Sequence, residues 1–178
     1  MCCGGKCLRS FHPKCLGLTT VDVDRIVRSG RPLICSDCSL GVQRCFSCRN
    51  FGLEDELVAC DVEFCGKFYH ASCLSDKSFH DPSSSGNASM IVCPLHICGT
   101  CGVSHTDLKK RSLMLRCFRC PKAYDIMHRP RDVHVLAGNI FLCIKHTLIE
   151  ETWPDLPDSL VKRAKSRIRV SKVTLCLQ

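Results

Sequence analysis

The feature that most constrains this chain is the arrangement of its 18 cysteines, most of which stand in close pairs. Several pairs are Cys-x2-Cys, and others combine cysteine with histidine, among them Cys93-x2-His96 and Cys143-x2-His146. A histidine cannot form half of a disulfide, whereas thiolate and imidazole are both ligands of tetrahedral zinc. The segment Met1–Ser10 also lacks the apolar region of a secretory signal. The pattern therefore favours zinc over a disulfide or redox protein.

The chain offers little material for a large apolar core. It has 178 residues, one Trp and two Tyr, and its apolar runs are short. Units that cannot bury enough apolar surface need staples, which here would be metal ions. We therefore predict small zinc-stabilised modules of α+β type with little regular secondary structure. No apolar stretch reaches the length of a membrane span.

The pairs repeat along the chain. Cys-x2-Cys opens at residue 45 and again at residue 98, and Cys-x2-His closes at 93 and at 143. Repetition at a fixed period indicates repeated modules. We predict a first, incomplete finger at 1–44, a complete second finger at 45–97, a degenerate third finger at 98–146 and a basic tail at 147–178. The chain begins at Met1, so we also expect either a truncated gene product or an empty half-site in the first finger.

The second finger has eight candidate ligands in four pairs. Sequential pairing would give two separate zinc beads, whereas cross-brace pairing would join pairs one and three, and pairs two and four. One histidine, preceded by Phe68-Tyr69, opens the third pair, and this arrangement resembles the PHD finger. The resemblance implies a cross-brace. The two predicted zinc sites are then Cys45, Cys48, His70 and Cys73, and Cys60, Cys65, Cys93 and His96.

The flanking fingers contain gaps in the same pattern. We predict one full site in each: Cys3, Cys7, Cys35 and Cys38 in the first finger, and Cys117, Cys120, Cys143 and His146 in the third. The first finger's third pair, His12 and Cys15, has no partner pair, so we expect an unstable module.

In the third finger, Cys98 and Cys101 form the first pair, but the third pair that should complete their zinc site is degraded. Asp125 stands at its histidine position and Pro130 where a cysteine is expected, and His128 or His134 is a candidate substitute. We therefore predict about four zinc ions, or five if His128 contributes.

Regular structure is expected to be sparse. A short helix is predicted over Thr20–Ser29, with Thr20 as its cap and Gly30 at its end. Leu57–Ala59 and Lys67–Tyr69 are predicted to form a hairpin, and residues 81–89 a flexible insertion. In the tail, a basic helix is predicted over Ser159–Val170, with Leu160, Ala164 and Ile168 on one side. We expect it to be only marginally stable alone. Cys2 and Cys176 are expected to be free thiols.

The segments between the ligands carry a more specific likeness. CLRSFHPKCLGL (7–18), RCFSC (44–48), FCGKFYHASC (64–73), CPLHICGTC (93–101) and LRCFRCPKAY (115–124) resemble the tandem PHD-finger region of the nuclear-receptor-binding SET-domain (NSD) family of histone lysine methyltransferases. A plant chromatin protein of the downy-mildew-resistance type is also similar. The resemblance implies a nuclear, chromatin-associated, zinc-binding protein that contacts histone tails beside a methyltransferase. No SET or PWWP domain is seen in these 178 residues.

A histone site is predicted on the second finger. A PHD finger takes an extended H3 tail as an added strand, so that main-chain hydrogen bonds give affinity and side-chain pockets give specificity. The predicted contact residues are Glu54, Asp55, Glu56, Leu57, Val58, Ala59 and Asp61. No Lys or Arg occurs between residues 51 and 65, so carboxylates there favour a free basic side chain. Phe46 and Phe51 are the nearby aromatics, which gives little material for a trimethyl-lysine cage.

The net charge of +8 is uneven, with the second finger at −4 between basic neighbours. That distribution favours a basic peptide and a polyanion as joint partners. The tail could contact nucleosomal DNA through its cations, or it could be a solvated linker or a localisation signal. These cations are Lys162, Arg163, Lys165, Arg167, Arg169 and Lys172. Three alternatives stay open: a pure protein scaffold, a fragment of a SET-domain methyltransferase, and a RING-type ubiquitin ligase. The last is disfavoured because His70 follows too many cysteines.

Overall fold

The structure, a computed structural model, describes residues 1–74, 90–106, 114–146 and 155–175, with side chains of the last segment described to residue 167. The predicted insertion at 81–89 and Cys176 lie outside these residues. The helices and strands are short, as expected of modules with small apolar cores, apart from one long helix. No helix among the described residues is both long and apolar enough to cross a membrane.

The first finger is mostly loop and helix. Helix α1 spans Thr20–Ser29 and helix α2 spans Ser36–Leu40. The bounds predicted for α1 are confirmed, but the predicted cap is wrong by one residue. Thr19 is the N-cap: its hydroxyl accepts the Asp22 N–H, and the Asp22 carboxylate accepts the Thr19 N–H. Thr20 is already the first helical residue, because the reciprocal bond with Asp22 needs a spacing of three.

The second finger holds two small antiparallel sheets. Strand β1 (Val42–Arg44) pairs with β2 (Phe51–Leu53), and β3 (Val58–Ala59) pairs with β4 (Phe68–Tyr69). The hairpin predicted from Leu57 and Lys67 is therefore present, with each strand one residue shorter. The β1–β2 sheet crosses the boundary predicted between residues 44 and 45.

The third finger has the largest sheet, with four strands in the order β6-β5-β8-β7. The strands are β5 (Met114–Cys117), β6 (Ala123–Asp125), β7 (Val133–Ala137) and β8 (Ile140–Cys143). Pairing is antiparallel except for β5 with β8, which is parallel. Its small core forms around Leu115, Phe141 and the cysteines that these strands carry.

Helix α3 spans Asp158–Leu175, so it begins one residue before and ends five residues after its predicted bounds. Leu160 and Ala164 are buried against Val42 and Leu53 of the β1–β2 sheet. The predicted apolar side is thus confirmed for those two residues, and the side chain of Ile168 lies outside the described part. The helix has a docking surface on the second finger, which an isolated helix would lack.

The first and second fingers share one core. Cys3, Cys7 and Cys35 are buried together with Leu57 and Phe68 of the second finger. At the seam, Gly66 has φ +63°, and a Cβ there would lie 2.5 Å from the carbonyl oxygen of Cys7. Glycine is therefore the residue that permits this close backbone approach.

Candidate metal centres

Five groups of four potential ligands come together, and within each group all ligand atoms lie within 4.8 Å of one another. Four groups contain the residues predicted for full sites: Cys3, Cys7, Cys35 and Cys38; Cys45, Cys48, His70 and Cys73; Cys60, Cys65, Cys93 and His96; and Cys117, Cys120, Cys143 and His146. The fifth group is Cys98, Cys101, Asp125 and His128. In the second finger, pairs one and three meet, as do pairs two and four. The fold is therefore the cross-brace and not a string of beads.

The short elements of the second finger place its eight ligands. Cys45 follows β1, and its carbonyl accepts the Arg49 N–H at 3.0 Å, closing the tight turn that brings Cys48 back beside it. His70 follows β4, and a single turn of 3-10 helix, Ala71–Cys73, carries the next cysteine. A matching turn, Pro94–His96, follows Cys93. These turns explain why an x2 spacing delivers two ligands to one point.

The spacing of the sulfur atoms fits zinc. Tetrahedral zinc with bonds of about 2.3 Å separates two thiolate sulfurs by roughly 3.8 Å. The Sγ atoms are 3.8 Å apart for Cys7 and Cys35 and 3.7 Å apart for Cys65 and Cys93. In the third finger, Cys120 and Cys143 are also 3.7 Å apart. The clusters therefore have the dimensions of the metal that their donor atoms prefer.

Two histidines support the same assignment. Both ring nitrogens of His96 are buried without a hydrogen-bond partner among the described residues, and so is Nε2 of His146. A buried polar atom without a partner is costly, and such atoms call for an unseen ion or water. Each imidazole stands beside three thiols, so a metal ion would satisfy one nitrogen of each ring.

The crowding of thiols points to a cation as well. Burial raises the pKa of the Cys38 thiol to about 12. Burial, together with repulsion from Cys45, raises the pKa of Cys73 to about 12. Several thiolates cannot ionise side by side without a compensating positive charge, which zinc supplies when it binds. Its role here would be structural, since four protein ligands fill the tetrahedron.

The third finger's second cluster corrects one part of the sequence interpretation. Asp125 begins a 3-10 turn, Ile126–His128, so the third pair is Asp125-x2-His128. Its Oδ2 lies 2.8 Å from His128 Nδ1 and 3.3 Å from Cys101 Sγ. Pro130 therefore does not occupy the second position of the third ligand pair, and His134 lies exposed on β7, away from the cluster. The x2 spacing shared with His70 and Cys73 was the signal that could have identified the pair.

The half-site in the first finger has a different environment. His12 and Cys15 are exposed and flank the 3-10 turn Pro13–Leu16. In the part of the chain that the structure describes, no further ligands join them to make a group of three or more. Cys2 is an exposed free thiol whose Sγ lies 3.4 Å from Ser10 Oγ.

Comparison with known proteins matches this sequence to two family models. Residues 41–96 match the PHD zinc finger of NSD-like histone-lysine N-methyltransferases, and residues 98–148 match the variant PHD zinc finger of the same enzymes. The chain belongs to the NSD-like PHD zinc-finger family. A zinc-binding, chromatin-associated role follows from that membership, and both NSD-like models describe zinc fingers.

The curated relatives of this NSD-like chain are much longer proteins. Histone-lysine N-methyltransferase NSD3 of Mus musculus is 35% identical over 153 residues, which cover 82% of this chain and 9% of that protein. The H3 lysine-36 specific histone-lysine N-methyltransferase of Homo sapiens is 31% identical over 148 residues, covering 81% and 5%. Protein ENHANCED DOWNY MILDEW 2 of Arabidopsis thaliana is 29% identical over 156 residues, covering 75% and 12%. The chain thus spans a small part of each relative.

The acidic turn of the NSD-like second finger is already in contact with basic side chains. We call the 3-10 turn Glu54–Glu56, which leads into β3, the acidic turn. Lys6 pairs with Glu54, and Arg163 pairs with Glu56. Arg167 donates to both carboxylate oxygens of Asp55, at 2.6 and 2.5 Å. Sequence reasoning missed these pairs because Lys6 and the α3 arginines are far away along the chain.

The other residues predicted for histone contact have varied surroundings. Leu57 is buried in the core shared with the first finger, so its side chain faces away from any ligand. Val58 and Ala59 form β3, which is bonded to β4. The carboxylate of Asp61 accepts the Ile91 N–H at 2.7 Å, which commits one of its oxygens to the fold.

Proposed function

We propose that the second finger docks this chain onto the unmodified, basic N-terminal tail of histone H3. The observation that carries the proposal is the acidic turn, whose three carboxylates all engage Lys or Arg side chains from distant parts of the chain. A surface that attracts three basic groups from its own chain is suited to a basic peptide. Charge-assisted hydrogen bonds of this kind are about twice as strong as neutral ones.

The zinc ions serve this function by holding the surface in shape. In our proposal, each of the five ligand groups binds one zinc, within modules at 1–44, 45–97 and 98–146, with the tail at 147–178. Zinc binding supplies the folding free energy of such small units. Chelation should therefore abolish the fold and peptide binding together, which circular dichroism and a binding titration would measure.

The tail would bind beside β3. One edge of β3 is bonded to β4, and no backbone hydrogen bond to its other edge is found among the described residues. An extended peptide could add there as a strand, with its basic side chains reaching the acidic turn. Val58 and Ala59 would supply backbone groups, and Asp55 and Glu56 would supply charge.

The aromatic rings near the site are covered, which supports recognition of an unmethylated lysine. A trimethyl-lysine site needs open aromatic faces. The Arg44 guanidinium lies 4.0 Å over the Phe51 ring, while Arg49 and Lys67 lie 4.6 and 4.9 Å from the Phe46 centroid. Because the chain's own cations cover both rings, carboxylates are the remaining means of lysine recognition.

Helix α3 and the tail would compete for the same carboxylates. Arg163 and Arg167 hold Glu56 and Asp55, and a peptide lysine must displace them. These surface ion pairs are individually weak, worth up to about 1 kcal/mol, so displacement is feasible. The helix therefore sets the affinity without closing the site.

Fluorescence anisotropy with an H3 N-terminal peptide tests this arrangement. Asp55→Asn with Glu56→Gln should weaken binding about tenfold, since charge-assisted bonds are lost. Arg163→Gln with Arg167→Gln should strengthen it, since the competing cations are removed. The matched control is Asp24→Asn with Asp132→Asn, which removes two exposed carboxylates elsewhere and should leave affinity unchanged.

Failure of every variant, including the one freed of Arg163 and Arg167, to bind an H3 peptide would reject the histone proposal. The PHD fold would then act as a scaffold for other chromatin proteins. A trimethylated peptide that binds more tightly than the unmodified one would reject the proposed preference. If the chain binds the unmodified or the trimethylated peptide, we propose a nuclear protein that supports histone lysine methylation, as a piece or partner of a methyltransferase.

A further inference from the structure

A basic cleft lies where the three fingers meet. Its volume is about 310 Å³. Arg9 of the first finger, Lys67 of the second and Phe118 of the third all line it. The remaining basic side chains of the lining are Arg44 and Arg49, and none of the described lining residues is Asp or Glu. The cleft exists only because the modules pack together, so no single finger could provide it.

The four cations of the cleft have different environments. Arg9 donates to Cys35 Sγ at 3.6 Å and to Asp37 at 2.5 Å, so its charge is used within the first finger. Arg49 and Lys67 lie against one aromatic ring, that of Phe46, at 4.6 and 4.9 Å from its centroid. Arg49 also donates to the backbone carbonyl of Arg119, and Arg44 donates to the carbonyl of Arg49 at 3.2 Å, so both guanidinium groups are partly engaged within the chain. Both keep their positive charge and, with Lys67, line the same cleft.

The chemistry of the cleft matches a phosphate. Guanidinium groups bind phosphate oxygens in a planar fork, and an ammonium group adds a point charge. A concave site lined by one sign of charge focuses the potential. Phe118, 62% exposed at the rim, adds an apolar face of the kind on which sugars and bases pack.

We propose that this cleft binds a phosphate of a nucleic-acid backbone. The tail had been the sequence-based candidate for DNA contact, but its Arg163 and Arg167 are paired with the acidic turn. Arg44, Arg49 and Lys67 are the proposed phosphate contacts because they line one cleft whose described lining residues include no carboxylate. The cleft and the acidic turn would let one compact unit engage the two oppositely charged components of chromatin.

The experiment measures anisotropy of a labelled 20-base-pair duplex with the zinc-loaded full chain over a range of salt concentrations. Arg49→Gln with Lys67→Gln should weaken binding about tenfold. It should also reduce the slope of log affinity against log salt by about 1, because both cations contact the one phosphate of the cleft. Lys67→Arg, which keeps the charge, should retain native affinity. Arg28→Gln with Arg31→Gln, exposed on and after α1, removes the same charge and should change little.

Several results would overturn the proposal. Equal losses in the cleft and control variants would show diffuse attraction by net charge. A loss confined to Lys162→Gln with Lys165→Gln would place DNA contact on the tail. If Arg49→Gln with Lys67→Gln instead loses zinc, these two cations stabilise the thiolate ligands and do not bind phosphate. An unchanged DNA affinity of the milder Lys67→Gln variant would confirm that rejection. Phosphoserine peptide competing as well as the duplex would indicate a phosphopeptide site, whereas single-stranded RNA competing equally would leave the backbone phosphate as ligand.

Discussion

Asp125 is the single carboxylate in the five ligand groups that the structure describes. It also accepts the backbone N–H of His128 at 2.9 Å, so it begins the turn and faces the metal position at once. Carboxylate oxygen is a harder donor than thiolate, and soft sulfur ligands hold zinc more firmly. The Asp125 site should therefore be the weakest of the four-ligand sites.

Replacement of Asp125 by Ala should remove one zinc ion. Native mass spectrometry should find five ions on the native chain and four on Asp125→Ala, because three ligands remain at that site. The native fifth ion should also be the first that a chelator extracts. Asp132→Ala, which removes an exposed carboxylate outside the cluster, should keep five. Five ions on Asp125→Ala would show that Asp125 is not a ligand.

At the scale of elements, α1 and α3 are stabilised in different ways. Helix α1 has no buried residue, so it depends on its ends, where Thr19 and Asp22 form a capping box and Gly30 closes the helix. Helix α3 depends on burial, through Leu160 and Ala164 on the β1–β2 sheet. Local sequence accounts for the bounds of the first helix, whereas the second runs five residues beyond its predicted end.

The capping box makes a sharp prediction for α1. Thr19→Ala should destabilise the helix by about 1 kcal/mol, because the Asp22 N–H loses its acceptor. Amide hydrogen exchange should measure this as roughly fivefold faster exchange along α1, with the zinc sites unaffected. Thr20→Ala, at the neighbouring first helical position, should be nearly neutral. Equal effects of the two substitutions would contradict the assigned cap.

At the scale of the whole molecule, the fingers are not independent beads. The first finger lacks ligands for a second complete site among the described residues, yet Cys3, Cys7 and Cys35 share a core with Leu57 and Phe68. Whether the first finger is unstable by itself stays a prediction. In this arrangement the second finger supplies the packing that a missing zinc site would otherwise provide.

Gly66→Ala tests that seam. The added Cβ would lie 2.5 Å from the Cys7 carbonyl oxygen, at a φ of +63°. Strain at such a φ costs about 1–2 kcal/mol, and the clash adds to it. The control Gly102→Ala has the φ strain, at +73°, but no atom within 4 Å. Thermal unfolding and exchange of residues 3–9 should report a larger loss for Gly66→Ala, and equal losses would mean that the seam does not matter.

Much of the candidate site could be predicted from the sequence because zinc ligands are marked by residue type and by short spacing. The pairs that begin at residues 45, 60, 70 and 93 are recognisable from residue type and short spacing, and in three of them an x2 turn brings both members to one ion. Asp125 was harder, because a carboxylate is common on surfaces and its role depends on the neighbouring thiols. The bounds of the two strands predicted in the second finger were right to within one residue, whereas the β1–β2 sheet and the four-stranded sheet of the third finger were not predicted.

What the sequence determined by itself is therefore local: ligand chemistry, turn spacing, the capped helix and the family of the second and third fingers. Tertiary structure alone decided which charges meet. Arg163 and Arg167 lie more than a hundred residues from Asp55 and Glu56, and they pair because Leu160 and Ala164 bury against the β1–β2 sheet. The cleft arises in the same way, from side chains of three fingers. Charge pairing acts over a few ångströms in space, and no spacing along a chain specifies that distance.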